Sequence, residues 1–518
     1  MTEHSFEQEW FSGPAMKHPL ADPATAKVMI ARQTLGDSST VLRKITALTD
    51  ELMHLPEISL QNRFAVLDLL DSHAKNHQIN LVPEYLETAR LRKLTEGALW
   101  TTSSAFWKAI GDAYLTCLDG VPAEPTSNEE LDFLLPILVG RIIRSLTLQF
   151  KWILLRHQRV DEKLWHDLGR TYLFAESRGF DTRRITVYAS RHGESSAQTE
   201  LLKVLMFAVS GPDAMTPAHQ HISERIIAHF GERFVLSVTP LINCPFAFDL
   251  ASGKAPSRIG KEGAPPLLIR HFGPGDAQEG LRELTNYLER AGTLPPYINA
   301  GAQFDRQQIA SVLAHLTRCW ADTPVLRHGE RKGNASHMTV VPGLPENVRW
   351  LERMMAASSI AVDAPEVAEH WLASDTSETG CGAIIPAHPS DWIAIGTLIG
   401  IHRETESTYR MAVIRRIIRE DDGQHRIGMS YLGEAAAPIA LFPTNSSLAA
   451  DMERPGEAAI LLSFRPDAHG NVEVLSRPDG IGKSVDLQMR FRDSVHKLKQ
   501  VQVIEDTRHY RSASYRIN

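Results

Sequence analysis

The sequence predicts an α+β fold, in which a large mainly helical N-terminal region precedes an antiparallel β region. Apolar residues recur at helical spacing between residues 37 and 230, as they do in residues 39–55. From about residue 392 onwards, apolar and polar residues instead alternate in short runs. These runs are separated by turn sequences such as Asp421-Asp422-Gly423, which are typical of β-hairpins.

Composition limits the function classes. The chain has 518 residues, enough for two to four domains, and its apolar content of 43% and charged content of 23% are ordinary for a globular protein. The net charge of −7 argues against general nucleic-acid binding, which usually needs a basic balance. It leaves room for a small anionic ligand that is held by a few local arginines.

The compartment is predicted from three features. The four cysteines are scattered without a CxxC pair, which fits a reducing environment and gives no thiolate zinc site. The acidic, polar stretch Met1–Phe11 is unlike a signal peptide. Since no run reaches 18 apolar residues, we expect a soluble cytoplasmic protein without a membrane span.

The helical region is predicted to extend over residues 1–232. Ser38, Ser39 or Thr40 is expected to cap the first clear helix, and a proline-rich break falls at residues 120–127. The predicted helices cover residues 39–55, 60–77, 82–117 (one helix or two), 128–155, 161–176, 196–209 and 217–230.

A mixed α/β segment is predicted for residues 233–320, with strands at 234–240 and 245–250 and helices at 277–291 and 305–320. Residues 253–275, rich in Gly and Pro, are expected to be a linker or a long loop. A barrel is predicted for residues 321–445, with strands at 392–402, 408–419 and 425–432. Appended strands within 446–518 are predicted at 458–464, 472–475, 485–503 and 510–517.

Two short motifs suggest a ligand. Arg327 and Arg331 lie four residues apart, and guanidinium groups can hold phosphate oxygens with two hydrogen bonds each. Downstream, Asp375-Thr376-Ser377-Glu378-Thr379-Gly380 supplies a carboxylate that can accept from the N–H groups of a base such as guanine. The Ser377 hydroxyl can donate or accept, and Gly380 lets the backbone turn close to a ligand. These parts predict a nucleotide site without catalytic machinery.

The order RxxxR and then [D/N]xSxxG, ahead of a strand-rich segment, resembles the PilZ domain, a bacterial receptor for cyclic di-GMP. The resemblance implies that Arg327 and Arg331 grip phosphates and guanine faces. It also implies that Asp375 and Ser377 bind a guanine edge beside Gly380. It further implies a non-enzymatic receptor that needs no cofactor or metal. The helical region would then contact a protein partner.

The segment between the motifs, residues 332–374, is longer than in a minimal PilZ domain, and residues 345–359 predict a helix inserted there. The insertion leaves a second interpretation open, in which a PilZ-like barrel without a ligand serves as a scaffold. Arg415 and Arg416 are successive strand residues, so we expect their side chains to point to opposite faces.

The tetrapeptide Arg191-His192-Gly193-Glu194 suggests a third interpretation. It resembles the RHG signature of histidine phosphatases, in which the histidine takes the phosphoryl group and the arginine holds its oxygens. Residues 185–189 can supply a short strand before it, but the surrounding sequence lacks α/β alternation. This interpretation is therefore the weakest of the three.

Overall fold

Helices dominate the first 320 residues of the computed structural model, and strands dominate the rest. The structure describes residues 18–56, 58–88, 93–124, 129–188, 193–259, 268–298, 300–301, 303–323, 332–356, 364–385, 390–404, 406, 408–444, 456–484, 486–492 and 494–517. The chain divides into two compact units. The helical unit comprises Met1–Arg156, Val160–Pro212 and Pro217–Pro324, and the barrel unit comprises His157–Arg159, Asp213–Thr216 and Val325–Asn518.

Eight helices begin the described part of the helical unit: α1 Pro23–Gln33, α2 Ser38–His54, α3 Leu60–Thr88, α4 Lys93–Asp119, α5 Glu129–Leu155, α6 Glu162–Ser177, α7 Ala197–Val209 and α8 Pro217–His229. They confirm most of the predicted helices and, over the described residues 120–124, the predicted break. The predicted boundary near residue 80 is wrong, because α3 continues through Pro83 with Leu81 and Tyr85 buried.

Helix α2 illustrates how the sequence determines these elements. Its apolar residues are buried on one face, as the spacing predicts. The cap is Asp37 rather than Ser38, Ser39 or Thr40, because the Asp37 carboxylate accepts a hydrogen bond from the Thr40 backbone N–H at 2.9 Å.

A buried ion pair joins α3 and α5. Arg141 donates to Asp71 at 2.8 Å, and both side chains are at most 4% exposed. The hydroxyls of Tyr114 and Tyr188 also donate to Asp71, at 3.1 and 3.0 Å. The carboxylate is therefore well satisfied, which is the condition under which a buried charge is tolerated.

A small antiparallel sheet follows, with strands in the order β1-β4-β2-β3: β1 Val235–Ser237, β2 Phe246–Asp249, β3 Ser257–Arg258 and β4 Ile269–Gly273. The expectation of a linker or loop at residues 253–275 is wrong for β3 and β4. Arg270, in β4, is buried and paired with Glu176. Buried strand positions are usually apolar, so this arginine hides the strand pattern in the sequence. Helices α9 Ala277–Ala291 and α10 Arg306–Trp320 confirm the two helices predicted there.

Six strands of the barrel unit form the first barrel, closed in the order β10-β7-β6-β5-β8-β9. Their bounds are β5 Lys332–Pro342, β6 Glu369–Ser377, β7 Gly380–Ile385, β8 Leu398–Arg403, β9 Tyr409–Arg419 and β10 His425–Tyr431, with helix α11 Leu344–Ala356 between β5 and β6. The predicted strand at 392–402 begins only at Leu398. Trp392, Ile393 and Ile395 precede it and pack against the barrel core, where Trp392 stacks on Trp371.

The remaining strands close a second barrel in the order β11-β12-β13-β16-β15-β14. They are β11 Ala437–Pro443, β12 Glu457–Leu461, β13 Asn471–Ser476, β14 Asp486–Phe491, β15 Ser494–Asp506 and β16 Arg511–Ile517. The sequence predicts appended strands here but not their closure. The helical region followed by closed barrels confirms the α+β class, while the domain boundaries at 232, 320 and 445 stay predictions.

Candidate functional site

The second motif forms the hairpin that joins β6 to β7. Cross-strand partners are Ser377 with Gly380, Thr376 with Cys381, and Asp375 with Gly382. The Ser377 hydroxyl donates to the Gly380 carbonyl at 3.1 Å. Gly380 is required by packing, because a Cβ there would clash with the backbone carbonyl of Met429. The motif residues predicted to act together are therefore adjacent.

Strand β5 lies on the other side of Asp375. Gly333 is the cross-strand partner of Asp375, and Lys332 is the partner of Thr376. Arg327 and Arg331 lie outside the described residues, but Lys332 is the residue that follows Arg331 in the chain. The insertion therefore does not separate β5 from the Asp375 strand.

Helix α11 confirms the predicted inserted helix over residues 345–356, whereas residues 357–359 lie outside the described part of the chain. The amide of Asn347 ties this helix to the barrel. It donates to the carbonyls of Val341, at 3.0 Å, and Gly343, and it accepts from the Tyr409 hydroxyl. Asn347 is fully buried, and its hydrogen bonds dock the helix on the barrel. The inserted helix therefore leaves β5 free to pair with β6.

One row of residues crosses five strands of the first barrel at the level of Asp375. Successive cross-strand partners are Gly333, Asp375, Gly382, Gly428 and Arg416. Chain neighbours of the row, among them Cys381, Ala383, Ile427, Met429 and Ile417, lie in the barrel core, so the row faces outward. Sequence reasoning did not single out these three glycines. Glycine inside a strand is the signal that was available, because it often marks a close approach by a ligand or another backbone.

The prediction for Arg415 and Arg416 is wrong. Both side chains are exposed, because the register of β9 against β10 shifts between Gly428 and Met429. A bulge of this kind disrupts the alternation of faces. Arg415 makes two 2.9 Å bonds to Glu505 of β15, and Arg416 lies 2.9 Å from Asp213 within the barrel unit.

A buried cation lies inside the barrel next to the hairpin. Arg403, whose side chain is 3% exposed, donates to the Tyr431 hydroxyl at 3.0 Å and pairs with Glu406 at 3.2 Å. The backbone N–H of Tyr431 donates to the Thr379 carbonyl in the hairpin turn. Burial alone would lower the pKa of the Arg403 guanidinium. Electrostatic interactions with Tyr431, Cys381 and Glu406 outweigh this effect and hold the pKa of Arg403 above its usual value. Burial raises the pKa of the Cys381 thiol, so this thiol adds no negative charge beside Arg403.

The phosphatase-like residues Arg191 and His192 lie outside the described residues. Before them, Ile185 makes only an isolated bridge to Ser195, and helices α6 and α7 flank the segment. Within the described part of the chain, no cluster of three His, Cys, Asp or Glu side chains is arranged to hold a metal ion.

Comparison with known proteins adds a family match in the helical region. Residues 24–240 match the family model described as the N-terminal domain of the cyclic-di-GMP receptor FimW. A search of curated proteins finds no significant match. The resemblance of the C-terminal part to PilZ domains stays a prediction. None of the described helices is both long and apolar enough to cross a membrane.

Proposed function

We propose that this chain is a non-enzymatic, cytoplasmic receptor for cyclic di-GMP. In this proposal the first barrel is a PilZ-like ligand domain, and the helical region presents a surface to a protein partner. Two independent parts of the chain support it. The N-terminal match is to a family described as a cyclic-di-GMP receptor, and the C-terminal motifs resemble those of another receptor family for the same dinucleotide.

The observation that carries the proposal is the register between β5 and β6. Lys332, directly bonded to Arg331, pairs with Thr376, and Gly333 pairs with Asp375. The strand that follows the arginine pair thus runs beside the carboxylate that would bind the base. The insertion was the argument for a ligand-free scaffold, and this pairing supports the receptor over the scaffold.

Each motif residue has a distinct role. Arg327 and Arg331 would grip the phosphates, since a guanidinium fork matches their oxygens. Asp375 would accept from the N–H groups on the edge of guanine. The Ser377 hydroxyl uses its proton on the Gly380 carbonyl, so its lone pairs remain available to accept a further N–H from the base.

Signalling would follow from differential binding. The dinucleotide would favour the arrangement in which the arginine segment closes over the barrel face. It would shift the equilibrium between the open and closed arrangements only as far as its affinities for these two arrangements differ. The helical region would then expose or hide its partner surface.

Calorimetric titration of the full chain with cyclic di-GMP tests the proposal, using Asp375→Ala and a control in the same turn. Loss of a charged hydrogen-bonding group costs about 1.5–3 kcal/mol, so Asp375→Ala should weaken binding about 10- to 100-fold. Glu378→Ala is the matched control, because Glu378 is exposed between Ser377 and Gly380 and should leave affinity unchanged. Equal binding by wild type and Asp375→Ala would refute the site.

A further inference from the structure

A small pocket opens between the end of α8 and helix α9 in the helical unit. Its cavity is about 210 Å³, smaller than the roughly 300–1,000 Å³ of pockets for drug-sized ligands, so its size suits one large side chain. Phe230 and Leu284 line the pocket and are buried, so its base is apolar. Gly280 permits this base, because a Cβ there would lie 2.4 Å from Phe230 Cε1. An apolar side chain that enters the pocket is therefore removed from water.

Aromatic rings surround this base. His229, Tyr287 and Tyr297 line the pocket, and the rings of His229 and Tyr297 lie 5.0 Å apart. Burial and the nearby Arg233 lower the pKa of His229, so its ring is uncharged at neutral pH. Tyr297 is 69% exposed. These rings offer stacked and edge-to-face contacts to a further aromatic ring.

Two arginines make the mouth of the pocket positive. Arg290 Nε donates to the Asn286 carbonyl of its own helix at 3.2 Å, a bond that leaves the arginine charge in place. Arg233 lies 4.0 Å from Glu283, and this pair is weak because the two side chains are 44% and 67% exposed. An apolar base, aromatic rings and a positive mouth together favour an acidic segment that carries an aromatic anchor.

The N-terminus of the same chain has a segment of this composition. Residues 1–17 lie outside the described residues, but residues 3–11 read EHSFEQEWF, with three glutamates among three aromatic residues. The chain from residue 18 back to Trp10 spans at most about 27 Å, and back to Phe6 about 40 Å. A unit of this size has a radius of gyration of only about 20 Å, and the segment and the pocket belong to the same unit. The segment is therefore long enough to reach surfaces well away from residue 18.

We propose that residues 3–11 dock in this pocket of their own chain. Trp10 is the anchor over Phe230, since tryptophan is enriched among the side chains that dominate binding, and the glutamates face Arg233 and Arg290. A protein partner that uses the same chemistry has to displace the segment before it can bind here. The docking does not involve the dinucleotide, so it can fail without affecting the proposed function.

A fluorescein-labelled peptide that copies residues 2–13 tests the docking by fluorescence anisotropy on the full chain. In the wild type, the tethered segment competes with the added peptide at an effective concentration that can reach the millimolar range. Trp10→Ala removes the anchor from the tethered segment and leaves the pocket open. The Trp10→Ala chain should therefore bind the peptide at least 10-fold more tightly than the wild type. A peptide that itself carries Trp10→Ala should bind neither chain.

Substitutions in the Trp10→Ala chain locate the bound peptide. Arg290→Glu replaces attraction with repulsion and should weaken peptide binding at least 10-fold. Arg282→Glu is the matched control on α9, because Arg282 is 64% exposed and does not line the pocket, and it should leave the affinity within about twofold. Tyr297→Ala should weaken binding at least fivefold. All three side chains are exposed, so the melting temperatures should stay within about 3 °C of one another.

Three results would overturn the docking. The first is a Trp10→Ala chain that does not bind the peptide, or that binds it no more tightly than the wild type does. The second is a peptide affinity that neither Arg290→Glu nor Tyr297→Ala changes. The third is a wild-type dimer, detected by multi-angle light scattering, that Trp10→Ala dissociates, because the segment would then occupy the pocket of a second copy.

Discussion

A buried amide ties helix α11 to the first barrel, so Asn347→Ala is an informative test of the barrel's architecture. Asn347 makes three side-chain hydrogen bonds, to the carbonyls of Val341 and Gly343 and from the hydroxyl of Tyr409. Its relative exposure is 0%, and that of Tyr409 is 4%, so water cannot replace the lost partners. The substitution should loosen the helix that connects β5 to β6.

The expected cost follows from these contacts. Three bonds at about 1 kcal/mol each, with about 1–2 kcal/mol more for the stranded Tyr409 hydroxyl, give a loss of about 4–5 kcal/mol in the free energy of unfolding. A typical domain has only about 5–15 kcal/mol in total, so a loss of this size is readily measured.

Urea unfolding followed by tryptophan fluorescence is a suitable assay, because Trp350 lies on the same helix with its ring 5.1 Å from that of Tyr409. Arg349→Ala is the matched control on α11, since that side chain is 64% exposed and should cost less than about 0.5 kcal/mol. Tyr409→Phe removes the stranded hydroxyl, so the double variant should cost about 1–2 kcal/mol less than the sum of the singles. An Asn347→Ala cost below about 1 kcal/mol, or strict additivity of the two substitutions, would show that these hydrogen bonds do not hold α11 on the barrel.

Two further predictions concern titration and thiol reactivity. Burial alone would raise the pKa of Glu505. Hydrogen bonds from Arg415 and Tyr510 outweigh this effect and hold that pKa below its ordinary value near 4.5. The destabilisation caused by Glu505→Gln should therefore be constant above about pH 5 and shrink as the pH falls through that lowered pKa, as melting temperatures across the pH range would reveal. Burial raises the pKa of Cys117 to about 12 and also raises that of Cys381, so the partly exposed Cys319 should react first with iodoacetamide, as followed by peptide mass spectrometry.

Both predictions have clear contrary outcomes. Melting temperatures of wild type and Glu505→Gln that stay a fixed distance apart down to about pH 3 would mean that the ion pair with Arg415 does not stabilise the fold. Alkylation of Cys117 ahead of Cys319 under native conditions would contradict the buried position of Cys117 in α4.

Local pattern was sufficient for most of the helices, because an amphipathic helix carries its own signal every three or four residues. It did not predict α1, Pro23–Gln33, or the end of α3. Prediction from the local pattern failed where contacts between distant parts of the chain decide the structure. Strand β4 was missed because buried Arg270, paired with Glu176, breaks the apolar pattern. Closure of the second barrel was missed because it depends on pairings between distant segments, such as β11 with β14, which no short window contains.

In the candidate site too, features set by neighbouring residues could be predicted, whereas features set by distant strand pairings could not. The short spacing of Asp375, Ser377 and Gly380 was enough to predict their proximity, because a hairpin joins them. The row through Gly382 and Gly428 could not be predicted, since it depends on the register of strands that are far apart in sequence. The exposure of both Arg415 and Arg416 depends on a bulge, which moves a residue out of the alternating pattern.

Titration of the purified full chain with cyclic di-GMP, alongside cyclic di-AMP and GTP, is the decisive measurement for a dinucleotide receptor. We expect saturable binding of cyclic di-GMP, with cyclic di-AMP and GTP bound about 100-fold more weakly or worse, because sites built to pair a specific polar group reject analogues that lack it. Absence of binding at high ligand concentration, or equal binding of all three nucleotides, would contradict a guanine-selective dinucleotide receptor.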